Sequence, residues 1–317
     1  MYNLRELAQN FKTHGKCNVY TDELMSSRTS FKIGGKTELL VEPLDGDAFM
    51  YVLDEIRKND VPLFVLGGGT NVVFSDGGFD GVVVSTAALK GIEVIHDDGT
   101  KVILRCLSGT LVNNVVRFCT ENSFSGLEAF SGLPGTVGGA AFMNARCFDF
   151  EMSEAAVSAC YVDYSSETGM PEIREISFSE GDWGYKHSPF TDKKAVILYV
   201  DIKVRRAAAE KEAIAEKCNS IMKQRLEKGH FKNPCAGSVF KNNHTFGAPV
   251  GKIVDELGLR SYRIGGAQIA PWHGNIIINA DHATSHDVYE LCAHIMEEVM
   301  KKKGFQLETE IIFAGNP

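Results

Sequence analysis

The chain has 317 residues, of which 44% are hydrophobic and 23% charged, and a formal net charge of −8. That acidic balance argues against a broad nucleic-acid surface, and no apolar run is long enough to span a bilayer. The length exceeds what one core usually serves, so two or three packed lobes are expected. Residues 1–7 contain no apolar signal core, which points to a cytoplasmic protein. The eight cysteines include no Cys-x-x-Cys pair and sit among apolar neighbours, so they read as free thiols and not as a disulfide or zinc framework. His282 and His286 have the spacing of a metal pair, but no glutamate lies between them and the segment reads as a helix entry; no metal is expected.

In chain order, Ser30-Phe-Lys-Ile-Gly-Gly-Lys-Thr37 ends like a nucleotide-triphosphate loop, yet Ser30 stands where that motif needs its first glycine. A tight turn at Gly34 and Gly35 leading into a strand over 37–41 is the better reading. Asp47 is placed to cap a helix carrying Phe49, Val52, Leu53 and Ile56 inward. A buried strand over 61–66 then ends in Gly67, Gly68 and Gly69, with Thr70 and Asn71 beside the turn. This is not the dinucleotide fingerprint of a doubly wound fold, because Val72 occupies the third glycine position.

Short β-branched runs at 82–85, 92–95 and 102–107 predict strands, and Thr110 opens a helix with Leu111, Val115 and Phe118 on one face. Residues 131–144, Ser-Gly-Leu-Pro-Gly-Thr-Val-Gly-Gly-Ala-Ala-Phe-Met-Asn, offer little but backbone. Taken singly, such a string is more often a glycine-rich surface loop. Paired with the turn at 67–69, its glycines suit a long ligand with two phosphates held by main-chain N–H groups. Strands are predicted over 156–163 and 195–204. Composition changes at Arg205, and 207–228 is strongly helix-forming. Pro249 opens a short helix ended by Gly258, and a strand covers 276–279. Thr284 and Asp287 cap a helix that Gly304 ends, and a final strand is predicted over 307–313.

Three segments are the most specific: Gly126-Leu-Glu-Ala-Phe-Ser-Gly-Leu-Pro-Gly-Thr-Val-Gly-Gly139 with Asn144, Ala236-Gly-Ser-Val-Phe-Lys-Asn242, and Tyr262-Arg-Ile-Gly-Gly-Ala-Gln268. In this order they resemble the UDP-N-acetylenolpyruvoylglucosamine reductase family, over nearly the whole chain from Ser30 onward. The resemblance implies an α+β fold: a two-lobed FAD-binding region of the vanillyl-alcohol-oxidase-like type, over 1–86 and 87–205, and a C-terminal α+β substrate domain over 206–317. It implies non-covalent FAD, NADPH as co-substrate and a UDP-sugar substrate, with no nucleic-acid or membrane partner; oligomeric state is left open. Between Val204 and Ala236 there is no room for the tyrosine-bearing loop of one family subtype, so the chain looks like the shorter subtype.

Carried over residue by residue, the family's catalytic serine falls on Ser238 and its glutamate on Glu310, with Glu308 the alternative two residues away. Its arginine falls on Lys186, which keeps the charge but lacks the planar two-pronged donor that matches a carboxylate. The segment after Asn144 also departs from the family, and Arg146 is expected to take over part of the lost role. Without the resemblance, Ser238 reads as a turn cap and Glu308 and Glu310 as solvated strand carboxylates. The cofactor candidates are Gly67, Gly68, Gly69, Thr70, Asn71, Ser131, Gly132, Pro134, Gly135, Thr136, Gly138, Gly139 and Asn144. Tyr185, Lys241 and Asn242 are the candidates for holding the UDP-sugar. Two other classes stay open: a flavoprotein of similar fold with another substrate, such as an oxidase, and a non-catalytic flavin- or nucleotide-binding module suggested by Lys186.

Overall fold

The computed structural model describes residues 3–166, 169–179 and 182–315, so Met1 and Tyr2 of the segment read for a signal lie outside the described residues. The chain forms two compact units: Met1–Thr21, Leu39–Gly68 and Gly81–Gln224 make the first, and Asp22–Glu38, Gly69–Asp80 and Arg225–Pro317 the second.

In the first unit, strand Leu63–Leu66 lies parallel to Phe79–Ser85 at the edge of a four-stranded sheet that also holds Lys36–Pro43 and Cys17–Leu24. Helices Leu4–His14 and Gly46–Lys58 cover it, burying Phe11, Phe49, Val52 and Leu53 against Leu39, Val41, Val82 and Val84. The cap of the second helix is Asp45, whose Oδ1 accepts the Ala48 N–H at 2.9 Å, and not Asp47, which lies in the first turn. Asp45 is the extended residue just outside the helix, where a short carboxylate reaches back to the free N–H groups.

The larger sheet of this unit runs Glu172–Ser177, Ala156–Asp163, Ala195–Arg206, Lys101–Leu107, Ile92–Asp97, with Phe124–Ser125 also pairing Ala195–Arg206. Against one face packs helix Val112–Glu121. It buries Val112, Val115, Val116 and Cys119, while Leu111 is 47% exposed, so the expected face is rotated by one residue. The glycine-rich segment contributes a short helix, Val137–Phe142, capped by Thr136.

The second unit is built on an antiparallel sheet in the order Cys235–Ser238, Ile276–Asn279, Ala267–Ile269, Arg263–Ile264. Helices Val250–Glu256 and Ser285–Lys303 share its core, which includes Phe240, Ile253, Val254, Ile269, Ile277, Leu291 and Ile295. The longer helix has the expected Thr284–Asp287 capping box and ends at Gly304, whose φ is 80°. The last strand is Ile312–Ala314, which shares only Ile312 and Phe313 with the expected 307–313 and pairs in parallel with Val72–Phe74. Residues 307–311 instead make single bonds to the segment around Val239, too irregular for a ladder.

Candidate active site

In the first unit the two glycine turns meet backbone to backbone. A Cβ on Gly68 would sit 2.7 Å from the Cα of Gly135, and one on Gly67 would sit 3.2 Å from the Thr136 hydroxyl. Gly132 and Gly135 have φ of 75° and 101°, which an L side chain rarely tolerates. The expected row of free N–H donors is a different matter. Gly132 N–H donates to Asn113 Oδ1 at 2.7 Å, Gly138 N–H to the Ser108 carbonyl at 2.9 Å, and Gly139 N–H to the Thr136 hydroxyl at 3.4 Å. These donors are taken because the segment is laid tightly across residues 108–113; a Cβ on Gly138 would sit 1.8 Å from Ser108 Oγ. Its glycines serve close packing at least as much as anion binding.

Two buried hydroxyls of this unit, Ser131 Oγ and Thr86 Oγ1, have no hydrogen-bond partner among the described residues. Orphaned buried donors are costly, about 1–3 kcal/mol each, and are a common mark of a ligand site. Thr86 donates its N–H to the Leu66 carbonyl at 3.0 Å, just before the Gly67 turn, so it belongs beside the cofactor candidates. Sequence reasoning passed over it; its signal was the hydroxyl pair Ser85-Thr86 following the apolar run 82–84. A side-chain-free cradle with two waiting hydroxyls fits a dinucleotide cofactor.

Asn144 is fully buried with φ of 41°. Its Nδ2 donates to Glu151 Oε2 at 3.1 Å and to the Gly184 carbonyl at 2.9 Å, while its Oδ1 accepts the Ser153 N–H at 3.0 Å. Both groups of its side-chain amide are thereby engaged with the protein. Gly184 and His187 exchange backbone bonds of 3.1 Å across a two-residue turn that carries Tyr185 and Lys186. Lys186 adopts φ of 56° and is half-buried, with its Nζ 6.0 Å from the Tyr185 ring centroid. Ser188 fastens the other side of the turn, its hydroxyl donating to the Phe142 carbonyl at 2.7 Å. Arg146 is engaged elsewhere: it pairs with Asp149 at 3.2 Å and Glu151 at 3.4 Å. A guanidinium held by two carboxylates is a poor stand-in for a substrate clamp, so the expected takeover by Arg146 finds no support in its contacts.

In the second unit Ser238 ends a strand and is half-buried after Gly237, whose φ is 75°. The next peptide is the pivot: Val239 N–H donates to the Asn275 carbonyl at 2.9 Å, and the Val239 carbonyl accepts the Glu310 N–H at 2.7 Å. Asn71 Nδ2 donates to the Glu310 carbonyl at 2.9 Å, so a cofactor candidate and a catalytic candidate share one hydrogen bond. Lys241 forms an ion pair with Glu308, and its N–H donates to the Glu308 carbonyl at 2.9 Å. Glu308 is therefore engaged with Lys241. Asn242 Oδ1 accepts the Val250 N–H at 2.8 Å, placing it at the entry of helix Val250–Glu256.

A glycine cradle with orphaned hydroxyls, on an α+β fold with a separate second unit, is the arrangement of a flavoprotein oxidoreductase. The FAD binding domain family matches residues 37–162, and the UDP-N-acetylenolpyruvoylglucosamine reductase C-terminal domain family matches residues 229–314. UDP-N-acetylenolpyruvoylglucosamine reductase of Treponema denticola is 42% identical over 297 residues, 91% of each chain, and that of Treponema pallidum is 34% identical over 92% of each. The crystal structure of the Thermus caldophilus UDP-N-acetylenolpyruvylglucosamine reductase superposes with a TM-score of 0.76 at 26% identity, covering 94% of this chain and 98% of that one. The chain belongs to the UDP-N-acetylenolpyruvoylglucosamine reductase family. It is an FAD-dependent oxidoreductase of peptidoglycan precursor synthesis that reduces the enolpyruvyl group carried on UDP-N-acetylglucosamine to the lactyl ether.

Proposed function

We propose that Lys186, Ser238 and Glu310 act on the enolpyruvyl ether and that Tyr185, Lys241 and Asn242 hold the UDP-sugar. FAD, when bound, supplies the hydride that it has received from NADPH. Ser238 gives its hydroxyl proton to the ether-bearing carbon as the methylene carbon is reduced, and Lys186 balances the charge that develops in the conjugated carboxylate. Glu310 polarises that carboxylate through a proton or a bridging water or cation, since two bare carboxylates repel. Gly67, Gly68, Gly69, Gly135 and Thr136 leave room for the cofactor, with Ser131 and Thr86 offering hydroxyls to it. In this reading 1–86 and 87–205 are the two cofactor lobes and 206–317 the substrate domain. The reaction belongs to the cytoplasm, where it feeds wall growth, cell shape and division.

The observation that carries the reading is the Val239 peptide, bonded to Glu310 on one side and adjoining Ser238 on the other. Anaerobic stopped-flow tests the role. Ser238→Ala is expected to keep NADPH-driven flavin reduction and to slow reoxidation by the enolpyruvyl sugar by about 10²-fold or more. Unchanged half-reactions would remove Ser238 as proton donor, and loss of FAD or of folding would make it structural.

A further inference from the structure

Asn275 is only 2% exposed and carries no role in the reaction as assigned above. Its Oδ1 accepts the Phe240 N–H at 2.9 Å and its Nδ2 donates to the Phe240 carbonyl at 2.8 Å. The side-chain amide thus replaces a neighbouring strand for one residue, just past the point where Cys235–Ser238 stops pairing with Ile276–Asn279. Its backbone is engaged too: the carbonyl accepts Val239 N–H at 2.9 Å, and the N–H donates to His273 Nδ1 at 3.1 Å, fixing that nitrogen as the acceptor. Ser238 itself is opposite Ile276, the next residue. On the far side of the same segment, Phe240 bridges Thr309 and Val239 takes the Glu310 N–H. One residue therefore grips the backbone of both Val239 and Phe240, the two residues that follow Ser238 and meet the Glu308–Glu310 backbone.

We propose that Asn275 is a positioning residue of the reductase: by satisfying both backbone groups of Phe240 it sets where the Ser238 hydroxyl stands relative to Glu310, and so sets the rate of proton delivery. The proposal rests on the assignment of Ser238 as proton donor. A neutral amide is the group that donates and accepts at once. Aspartate at 275 reproduces this while protonated and, once ionised, loses the donated bond and faces the Phe240 carbonyl with like polarity. The titratable and charged groups around the position are His273 on its own turn with His230 beside it, the Asp255–Arg260 pair beside Gly274, and the Lys241–Glu308 pair next to Phe240. Wild-type enzyme measured over the same pH range accounts for their titration.

The experiment follows both half-reactions of the holoenzyme by anaerobic stopped-flow in Asn275→Ala, Asn275→Asp, Ser238→Ala and the double variant Ser238→Ala/Asn275→Ala. Amide hydrogen exchange of the peptide covering 239–241 is measured alongside. In Asn275→Ala, reoxidation by the enolpyruvyl sugar is expected to slow by about tenfold or more, with NADPH-driven reduction within about twofold and faster exchange at 239–241. Adding the change to Ser238→Ala is expected to slow reoxidation no further, because residues acting through one another are not additive. Asn275→Asp is expected to show a new loss of reoxidation rate with rising pH. Equal slowing of both half-reactions, full multiplication of the two effects, or a wild-type pH profile in Asn275→Asp would overturn the proposal. If Asn275→Ala does not yield holoenzyme, the Asn275→Asp profile decides. Normal reoxidation in Ser238→Ala removes the donor assignment and this proposal together, whereas normal Asn275 variants beside an impaired Ser238→Ala remove Asn275 alone.

Discussion

The side-chain amide of Asn144 donates to the carbonyl of Gly184 at 2.9 Å, joining the end of the glycine-rich segment to the turn that carries Tyr185 and Lys186. Removing it leaves the Ser153 N–H without its acceptor and the Gly184 carbonyl with the His187 N–H alone. Asn144→Ala is expected to lower stability by about 1–3 kcal/mol, the cost of leaving buried groups unmade. The positive φ adds to the cost, because alanine tolerates it less well than asparagine. Urea unfolding followed by tryptophan fluorescence measures this, and an unchanged midpoint would contradict it.

The proposed placing of Lys186 against the substrate carboxylate leads to a second expectation. Lys186→Arg should match or exceed the parent turnover, since a guanidinium adds a second donor toward a carboxylate. Lys186→Ala should lose about 10²-fold, the size typical of one donor to a developing anion. Steady-state kinetics decide, and a near-normal alanine variant would return Lys186 to the status of a loop residue.

Close approach of the two glycine turns predicts the outcome at Gly68. A methyl group there would stand 2.7 Å from the Gly135 Cα, a backbone atom that cannot swing away. Gly68→Ala should therefore force the turns apart and release FAD during purification, read as loss of flavin absorbance relative to protein. Full flavin content in this variant would show that the contact yields cheaply.

His230 sets an acid limb on stability. Burial, helped by Arg225, His273 and Lys228, pushes its pKa down to about 4. A histidine whose folded pKa lies below its unfolded value binds fewer protons folded than unfolded in that window. Its stabilising effect is complete above pH 6.5 and is lost as pH falls toward 4. His230→Gln should flatten the decline of melting temperature between these two values. An identical pH profile in the variant would show that other groups carry the limb.

Local chemistry made much of the fold legible. The Thr284–Asp287 box and Gly304 marked both ends of helix Ser285–Lys303, and alternating or continuous β-branched runs marked most strands. Where the reading missed, the deciding partner lay far along the chain. Nothing near Leu307–Ile311 says that Val239 will interrupt its extension, and nothing near Glu172–Ser177 announces a sheet edge beside Ala156–Asp163. The site shows the same division. Residue types at 67–69 and 131–139 pointed to a cradle, but the commitment of Asn144 to Gly184, Arg146 to two carboxylates and Lys241 to Glu308 depends on side chains brought close by folding.

Parallel pairing of Val72–Phe74 with Ile312–Ala314 has a consequence for synthesis on the ribosome. Asn71 and Glu310, which share a hydrogen bond at this junction, are 239 residues apart. The strand that follows the cofactor turn therefore emerges early and waits with an open edge while most of the chain is still being made. Contacts of such sequence separation form late and leave an adhesive surface exposed meanwhile. A nascent chain stalled before residue 312 should thus be a substrate for chaperones that cover strand edges.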